Sequence, residues 1–215
     1  MPKFKPDLNP EFNPELKPIA TPAEIGVVVS RIAREIERDY DGQLVVLDGQ
    51  PASPRGQPAV FDGLPAGHAC KIPVLVGVMK GAFVFLADLA RELRIPVEID
   101  FIRAACYGAG SVPSDEVLIT RDIEMDIAGR DVIVVEDIVD RGVTVDRLMG
   151  HLRAKKPSTI RLCSLLLREN GRPPFKVDYA GMVVGKGFAV GYGLDYKERY
   201  RNLPGLHAID VKDRG

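Results

Sequence analysis

Apolar runs that end in glycine-containing turns, each followed by apolar residues at helical spacing, recur along the chain. Residues 132–135 are all β-branched and precede a helical pattern beginning at Val143. Residues up to Val78 precede a second such pattern beginning at Phe83. Continuous β-branched runs are typical of parallel strands covered on both faces. With further strands expected at 159–167 and 179–184, the pattern predicts an α/β fold with a doubly wound, mainly parallel sheet.

The first 22 residues have a different pattern, with a proline at every fourth position from Pro2 to Pro22. Each proline removes a helical hydrogen bond, so polyproline or serial turns are expected there. A disordered tail is one interpretation. The alternative is an arm whose apolar residues lie along a groove on this subunit or a neighbour. These anchors are Phe4, Leu8, Phe12 and Leu16.

The remaining chain, residues 22–215, is expected to form a single domain. Thr21-Pro-Ala-Glu24 has the spacing of a capping box with proline at the first helical position. Residues 48–71 are rich in Gly and Pro and are interpreted as a surface insertion. A small hood formed by the N- and C-terminal segments is expected to bring residues 185–210 over the sheet edge.

Composition narrows the class of protein. The chain has 215 residues, 46% of them hydrophobic, with net charge -1 and a pI near 6.3, so it lacks the basic excess of nucleic-acid binders. Cys70, Cys106 and Cys163 are too widely spaced to indicate a disulfide framework or zinc site, and are expected to be reduced thiols. No apolar run approaches ~18 residues and no signal peptide is evident, so a cytoplasmic location without membrane contact is expected.

Three acids follow the apolar run at 132–135. Glu136 and Asp137 come directly after it, and Asp140 precedes the turn at Gly142. Backbone N–H groups at a helix N-terminus bind phosphate, but neighbouring carboxylates repel it unless they meet hydroxyls, a metal or a proton. Glu136 and Asp137 would suit ribose hydroxyls and Mg²⁺. The segment therefore predicts a phosphoribosyl-binding loop, with a solvated acidic turn as the alternative.

In three further segments an apolar run leads into a glycine-containing turn or loop. Residues 76–81, Val-Gly-Val-Met-Lys-Gly, form a strand-to-helix turn. Residues 188–196, Phe-Ala-Val-Gly-Tyr-Gly-Leu-Asp-Tyr, end in Gly-x-Gly-x-Asp, which a strand carrying only core aromatics does not need. Residues 104–120 contain a Gly/Ser/Pro loop, which is either a flexible flap or a plain surface hairpin.

Together these segments resemble the type I phosphoribosyltransferases, and the Glu-Asp-x-x-Asp form is most similar to the hypoxanthine-guanine branch. The resemblance covers residues 72–210. It implies a purine salvage enzyme that moves 5-phosphoribosyl from phosphoribosyl pyrophosphate to hypoxanthine or guanine with Mg²⁺. The implied partners are these small molecules and further copies of the chain, as a homodimer or homotetramer, and no nucleic acid.

The resemblance also implies a role for each site residue. The base that accepts the purine proton is Asp140. The phosphoribosyl group is bound by Glu136, Asp137, Arg141, Gly142, Val143 and Thr144. Pyrophosphate is bound by Met79, Lys80, Gly81 and Arg201, with a cis peptide bond expected at Met79-Lys80. The purine is bound by Arg168, Phe188, Ala189 and Asp195. The metal is held by Glu136, Asp137 and Asp195. The flap carries Tyr107.

Two departures from the family pattern affect the expected substrate. Arg168 stands where the family usually has a lysine that reads the purine 6-oxo group, and Arg141 stands where Thr or Ser is usual. An arginine can still donate to a carbonyl, although its planar fork differs from a lysine point charge. Adenine is disfavoured because its 6-amino group would face further donors. A xanthine-preferring enzyme and a catalytically inactive regulatory homologue are the alternatives.

Overall fold

The computed structural model describes residues 16–40, 72–106, 117–169, 171, 173, 175–185 and 187–209. The helices within these ranges are α1 Pro22–Tyr40, α2 Phe83–Glu92 and α3 Val143–Ala154. The strands are β1 Leu16–Ala20, β2 Val74–Met79, β3 Glu98–Cys106, β4 Val117–Arg121, β5 Asp131–Val139, β6 Thr159–Arg168, β7 Tyr179–Val184, β8 Phe188–Val190 and β9 Leu206–Ile209. The expected strand at 43–47, the insertion at 48–71 and Tyr107 of the flap lie outside the described residues.

The larger sheet has six strands in the order β4-β3-β2-β5-β6-β7. Its neighbours pair in parallel except for β3 and β4, which are antiparallel. The predicted doubly wound, mainly parallel α/β sheet is therefore confirmed. Residues 107–116 of the predicted flap, between β3 and β4 in sequence, lie outside the described residues.

The winding of this sheet reverses between β2 and β5. From β2 the chain passes through α2 to β3 on one side, and from β5 it passes through α3 to β6 on the other. Ligands of open α/β sheets bind in the crevice at such a reversal, beyond the carboxyl ends of the strands. The topology alone thus places a binding crevice after Met79 and Val139.

Two hydrophobic cores cover the two faces of the sheet. On one face α1 and α2 bury side chains such as Ile32, Phe85 and Leu89 against β2, β5 and β6. On the other, α3 buries Leu148 and Leu152 against alternate residues of the same strands. Because both faces are covered, the central strands have apolar residues at successive positions, which explains the continuous β-branched runs in the sequence.

A second, three-stranded sheet joins the two ends of the described chain in the order β1-β9-β8, with both pairs antiparallel. It forms the hood predicted from the terminal segments. Five residues of the proline-containing arm are strand, and Pro18 within β1 sits at the sheet edge next to a register shift. An edge strand tolerates proline because one of its sides needs no ladder donor.

The capping box predicted at the start of α1 is present. The Thr21 backbone N–H donates to Glu24 Oε2 at 2.8 Å, and the Glu24 N–H donates to Thr21 Oγ1 at 3.3 Å. These reciprocal bonds satisfy N–H groups that a helix start leaves without partners. Among the described residues, no helix is long and apolar enough to cross a membrane.

Candidate active site

The carboxyl ends of three parallel strands bring three of the predicted segments to the same end of the large sheet. Met79 ends β2, Val139 ends β5 and Arg168 ends β6. The β2–β5 pairing stops at Gly77 and Val135, while β5 stays paired with β6 as far as Val139. Beyond that point β2 and β5 separate, and the gap between them is the crevice at the winding reversal.

The strand β5 runs farther than the sequence suggested. Glu136 and Asp137 lie inside it, because Glu136 pairs with Ser164 and Ile138 pairs with Leu166 of β6. The acids are therefore fixed by sheet register rather than carried on a loop. Glu136 is 8% exposed, and its Oε2 has no hydrogen-bond partner among the described residues.

The two acids are unusual in their ionisation. Burial raises the pKa of Glu136 well above its usual value, and the neighbouring Asp137 raises it further. Burial likewise raises the pKa of Asp137 to about 6, partly opposed by hydrogen bonds from backbone N–H groups and by Arg201. Carboxyls held in this way gain stabilisation when a cation or hydroxyl group reaches them. They fit a bound ligand better than a structural role.

Three segments meet at Gly81. A Cβ there would lie 1.7 Å from Asp137 Oδ2, so the carboxylate occupies the space that a side chain would take. A Cβ on Gly193 would lie 2.3 Å from the Gly81 carbonyl oxygen, so the hood approaches the same residue from above. The peptide bond between Met79 and Lys80 is cis, as expected from the sequence. The contacts join the turn after β2, the acids of β5 and the loop after β8.

Arg201 joins this junction to a charged network. Its Nη1 donates to the Gly193 carbonyl at 2.9 Å, and its Nη2 lies 2.8 Å from Asp195 Oδ1. Its Nε is buried and has no partner among the described residues. On the solvent side, Glu198 Oε2 accepts from Lys80 Nζ at 3.0 Å and lies 3.2 Å from Arg201 Nη2. Two cations from distant segments thus converge beside the acids.

The turn after β5 opens α3 as predicted. Gly142 is the N-cap residue, with φ of 83°, and no side chain caps the helix. A Cβ at Gly142 would also lie 2.9 Å from Phe175 and Pro173, so both conformation and space require glycine. The N–H groups of Val143 and Thr144 begin the helix, while Asp140 and Arg141 precede it and are exposed. The uncapped helix start is suited to an anion.

The hood places aromatic residues at the same edge. Phe188 is 53% exposed, and its ring centroid is 5.6 Å from that of Tyr196, at an interplanar angle of 57°. Ala189 is buried in β8. By contrast, Tyr192 is a buried residue whose hydroxyl donates to Asp88 of α2 at 2.5 Å. Phe188 therefore offers an accessible face, whereas Tyr192 anchors the hood to the larger sheet's helical layer.

Arg168 ends β6, and its expected contact with the purine stays a prediction. Its Nη1 donates to the Gly185 carbonyl at 2.6 Å. Its backbone carbonyl accepts from the Gly171 N–H at 2.9 Å, which fixes the position of the strand end. One bond thus orients the guanidinium, which carries five N–H donors in all.

Two participants in this site were not identified from the sequence. One of them is Glu198, although an acid placed between Asp195 and Arg201 in the sequence is a signal for an ion network. Gly193 belongs to the Gly-x-Gly-x-Asp motif, but its approach to Gly81 depends on tertiary packing. Tyr107 lies outside the described residues, so its expected place in a flap stays a prediction.

The Gly81 contact yields a direct prediction. We expect Gly81→Ala to lower kcat/KM for the phosphoribosyl transfer that the sequence resemblance implies by about 10²-fold. The added methyl group must displace Asp137 or the turn, and a displacement near 1 Å costs that much at a reacting centre. Steady-state assay measures this. Gly150→Ala is the matched control, since a Cβ there meets nothing within 4 Å. Equal activity of the two variants would show that Asp137 need not be held where it lies.

Comparison with known proteins agrees with this geometry. Residues 68–197 match the model of the phosphoribosyl transferase domain family. Hypoxanthine phosphoribosyltransferase of Salmonella typhimurium is 42% identical over 141 residues, which are 65% of this chain and 79% of that protein. Hypoxanthine-guanine phosphoribosyltransferase of Bacillus subtilis is 43% identical over 133 residues, 61% of this chain and 74% of that protein.

A solved structure extends the likeness beyond the matched segment. The crystal structure of a hypoxanthine-guanine phosphoribosyltransferase from Bacillus anthracis superimposes with a TM-score of 0.74 at 33% sequence identity. The match covers 91% of this chain and 100% of that one. The match therefore extends well beyond residues 68–197 of this chain.

Proposed function

We propose, on the premise that this chain belongs to the phosphoribosyltransferase family, that it transfers the 5-phosphoribosyl group of phosphoribosyl pyrophosphate to hypoxanthine or guanine. The products are IMP or GMP and pyrophosphate. The observation that carries the proposal is the meeting of Gly81, Asp137 and Gly193 at the winding reversal. It brings the turn assigned to pyrophosphate, the acids assigned to ribose and the loop assigned to the purine onto one crevice.

The 5-phosphate would be bound at the start of α3. Gly142 has the left-handed conformation and precedes α3, and Val143 and Thr144 supply the first N–H groups of this helix. Arg141 adds a cation where the family usually has a hydroxyl. Its exposed position suits a charge that meets the phosphate from the solvent side.

Pyrophosphate would be bound by the cis turn and the hood. Lys80 and Arg201 supply positive charge, and Met79 and Gly81 supply the backbone on either side of Lys80. As the bond from the anomeric carbon to pyrophosphate breaks, negative charge grows on the departing oxygen and positive charge grows on the ribose ring. Preorganised cations stabilise that oxygen without reorientation at the moment of reaction.

The ribose hydroxyls would meet Glu136 and Asp137. The Oε2 atom of Glu136 has no hydrogen-bond partner among the described residues, and a ribose hydroxyl would donate to it. The purine would stack on Phe188, with backbone groups of Ala189 and Asp195 at its polar edge and Arg168 at its 6-position. N9 forms the new bond to the anomeric carbon, and Asp140 accepts the proton that the base loses, at N7 in the arrangement that the family resemblance implies.

The site also fits Mg²⁺, which we propose as the cofactor. Within the described residues no three side chains of ligating type converge on one point. Mg²⁺ does not require that, since it usually binds one or two carboxylates, water and substrate phosphates. The charge of Asp195 contributes to the raised pKa of Asp137, and a bound cation would oppose that rise. Glu136 precedes Asp137 in β5. The ion would neutralise charge on the departing pyrophosphate.

The proposed function is tested by an absorbance assay of the purified chain with phosphoribosyl pyrophosphate, Mg²⁺ and each purine in turn. Turnover of hypoxanthine and guanine supports it. Faster turnover of xanthine would favour the xanthine-preferring alternative, and binding of nucleotide without turnover would favour a regulatory homologue. Light scattering on the same sample measures the oligomer, which we propose to be a homodimer or homotetramer.

Substitution of Phe188 should affect purine binding more than catalysis. We expect Phe188→Ala to raise the KM for the purine by roughly 5- to 30-fold while kcat changes less, because stacking and buried contact area are lost in the ground state as well as in the transition state. Ile99→Ala, an exposed apolar residue of β3, is the control. An unchanged purine KM would remove Phe188 from the binding site.

A further inference from the structure

Glu198 occupies the position of an anion between two cations. Its Oε2 accepts from Lys80 Nζ at 3.0 Å and lies 3.2 Å from Arg201 Nη2. Lys80 belongs to the turn after β2 and Arg201 to the hood, so the carboxylate bridges the two segments that close over the crevice. One oxygen atom contacts both cations, as an oxygen of a phosphate would.

The backbone around Glu198 is held in place by the site itself. Its N–H donates to Asp195 Oδ2 at 2.7 Å, and Tyr196 and Arg199 exchange backbone hydrogen bonds across it. Lys197 and Glu198 have φ of 52° and 62°, in the left-handed region that residues with a Cβ rarely adopt. The fold maintains this tight turn, and the turn directs the side chain of Glu198 back toward the cations.

The charges at this point suit an exchangeable anion. Hydrogen bonds from Lys80 and Arg201 lower the pKa of Glu198, which keeps its carboxylate ionised. The side chain of Glu198 remains 65% exposed, so it can swing into solvent. Arg201 is held from behind by Gly193 and Asp195, and its buried Nε still has no partner among the described residues. Gly193 and Asp195 thus hold the Arg201 guanidinium in place, while the side chain of Glu198 can move away from it.

We infer that Glu198 is an internal counter-ion that holds Lys80 and Arg201 before substrate binds and competes with the pyrophosphate group for them. The inference rests on the proposed role of these two cations in pyrophosphate binding. A carboxylate and a pyrophosphate cannot share the position because both are negative. Each arrival of phosphoribosyl pyrophosphate therefore breaks the Glu198 pairs, and each departure of pyrophosphate restores them. Glu198 thus weakens binding of the pyrophosphate group and helps release it.

The test is the affinity of pyrophosphate for the whole chain. In Mg²⁺-containing buffer at low salt, isothermal titration should show pyrophosphate binding Glu198→Gln roughly 3- to 10-fold more tightly than wild type, the scale of two partly exposed ion pairs. The difference should shrink as salt screens the charges. Glu35→Gln is the control, since it removes the same charge from an ion pair with Arg31 on α1. It should bind pyrophosphate as wild type does.

A second variant separates this inference from the proposed function. Lys80→Gln should weaken pyrophosphate binding if Lys80 has its proposed role. If Lys80→Gln weakens binding while Glu198→Gln leaves it unchanged or also weakens it, the counter-ion is refuted and the pyrophosphate site stands. If Lys80→Gln leaves binding unchanged, the assignment of pyrophosphate to this turn fails, and the inference fails with it.

Discussion

Asp140→Ala should lower kcat by about 10² to 10⁴ while the affinity for phosphoribosyl pyrophosphate stays within a few-fold of wild type. That range is the usual contribution of a general acid or base. The reason lies in the position of Asp140, which follows the end of β5 and directly precedes the turn at Gly142. It follows the acids that we assign to ribose and is exposed, so we propose that it can reach the incoming purine. Single-turnover kinetics and titration of phosphoribosyl pyrophosphate measure the two quantities separately.

Two further variants sharpen that test. Asp140→Asn keeps the shape of the side chain without its basicity, so it should lose activity nearly as severely as the alanine variant. Asp126→Ala removes an exposed acid from the loop before β5, at the opposite edge of the sheet, and should retain activity. Near-normal turnover of Asp140→Ala would exclude Asp140 as the base. Lost affinity for phosphoribosyl pyrophosphate with intact turnover would make it a binding residue.

The central sheet could be predicted because its strands are covered on both faces. Burial on both sides makes β2, β5 and β6 apolar at successive positions, and this signal is distinct from helical spacing. The strand predicted at 179–184 has the same bounds as β7. The turn before α3 could be predicted as well, since Gly142 marks a left-handed position that few other residues adopt.

The end of β5 was harder to predict because the pattern and the pairing disagree. Glu136 and Asp137 interrupt the apolar run, and this suggests that the strand stops. The structure continues it to Val139 because β6 remains beside it after β2 has turned away. The type of a residue does not indicate which neighbouring strand stays paired with it. A strand that has lost one partner is also where buried acids can face a ligand.

Contacts between distant segments lay beyond any local pattern. The fit of Asp137 against Gly81, and of Gly193 over the same residue, depends on how the hood sits on the sheet edge. The sequence places all three residues in separate motifs, and the chemical roles expected of those motifs stay predictions. Their mutual distances, and the pairing of Lys80 with Glu198, follow only from the packed structure.

We propose that Arg168 decides which purines the crevice accepts. Its Nη1 donates to the Gly185 carbonyl, and its remaining N–H groups would be the donors to the purine 6-position. A 6-oxo group accepts from them, whereas the 6-amino group of adenine is another donor and leaves the cation without a partner. Sites built on such a hydrogen bond can reject the wrong analogue by up to about 10⁴-fold. We therefore expect turnover of hypoxanthine and guanine, and little or none of adenine.

Substitutions at this position should change selectivity more than stability. Arg168→Ala should lower kcat/KM for hypoxanthine and guanine selectively, because the 6-oxo group loses its donor, while Arg168→Lys should keep the ranking because it restores a donor with a point charge. Arg34→Ala, which removes an exposed arginine from α1, should leave the ranking and the rates unchanged. The measurement is kcat/KM for each purine in all four proteins. Efficient adenine turnover by the wild type, or an Arg168→Ala variant with unaltered base preference, would mean that another residue reads the 6-position.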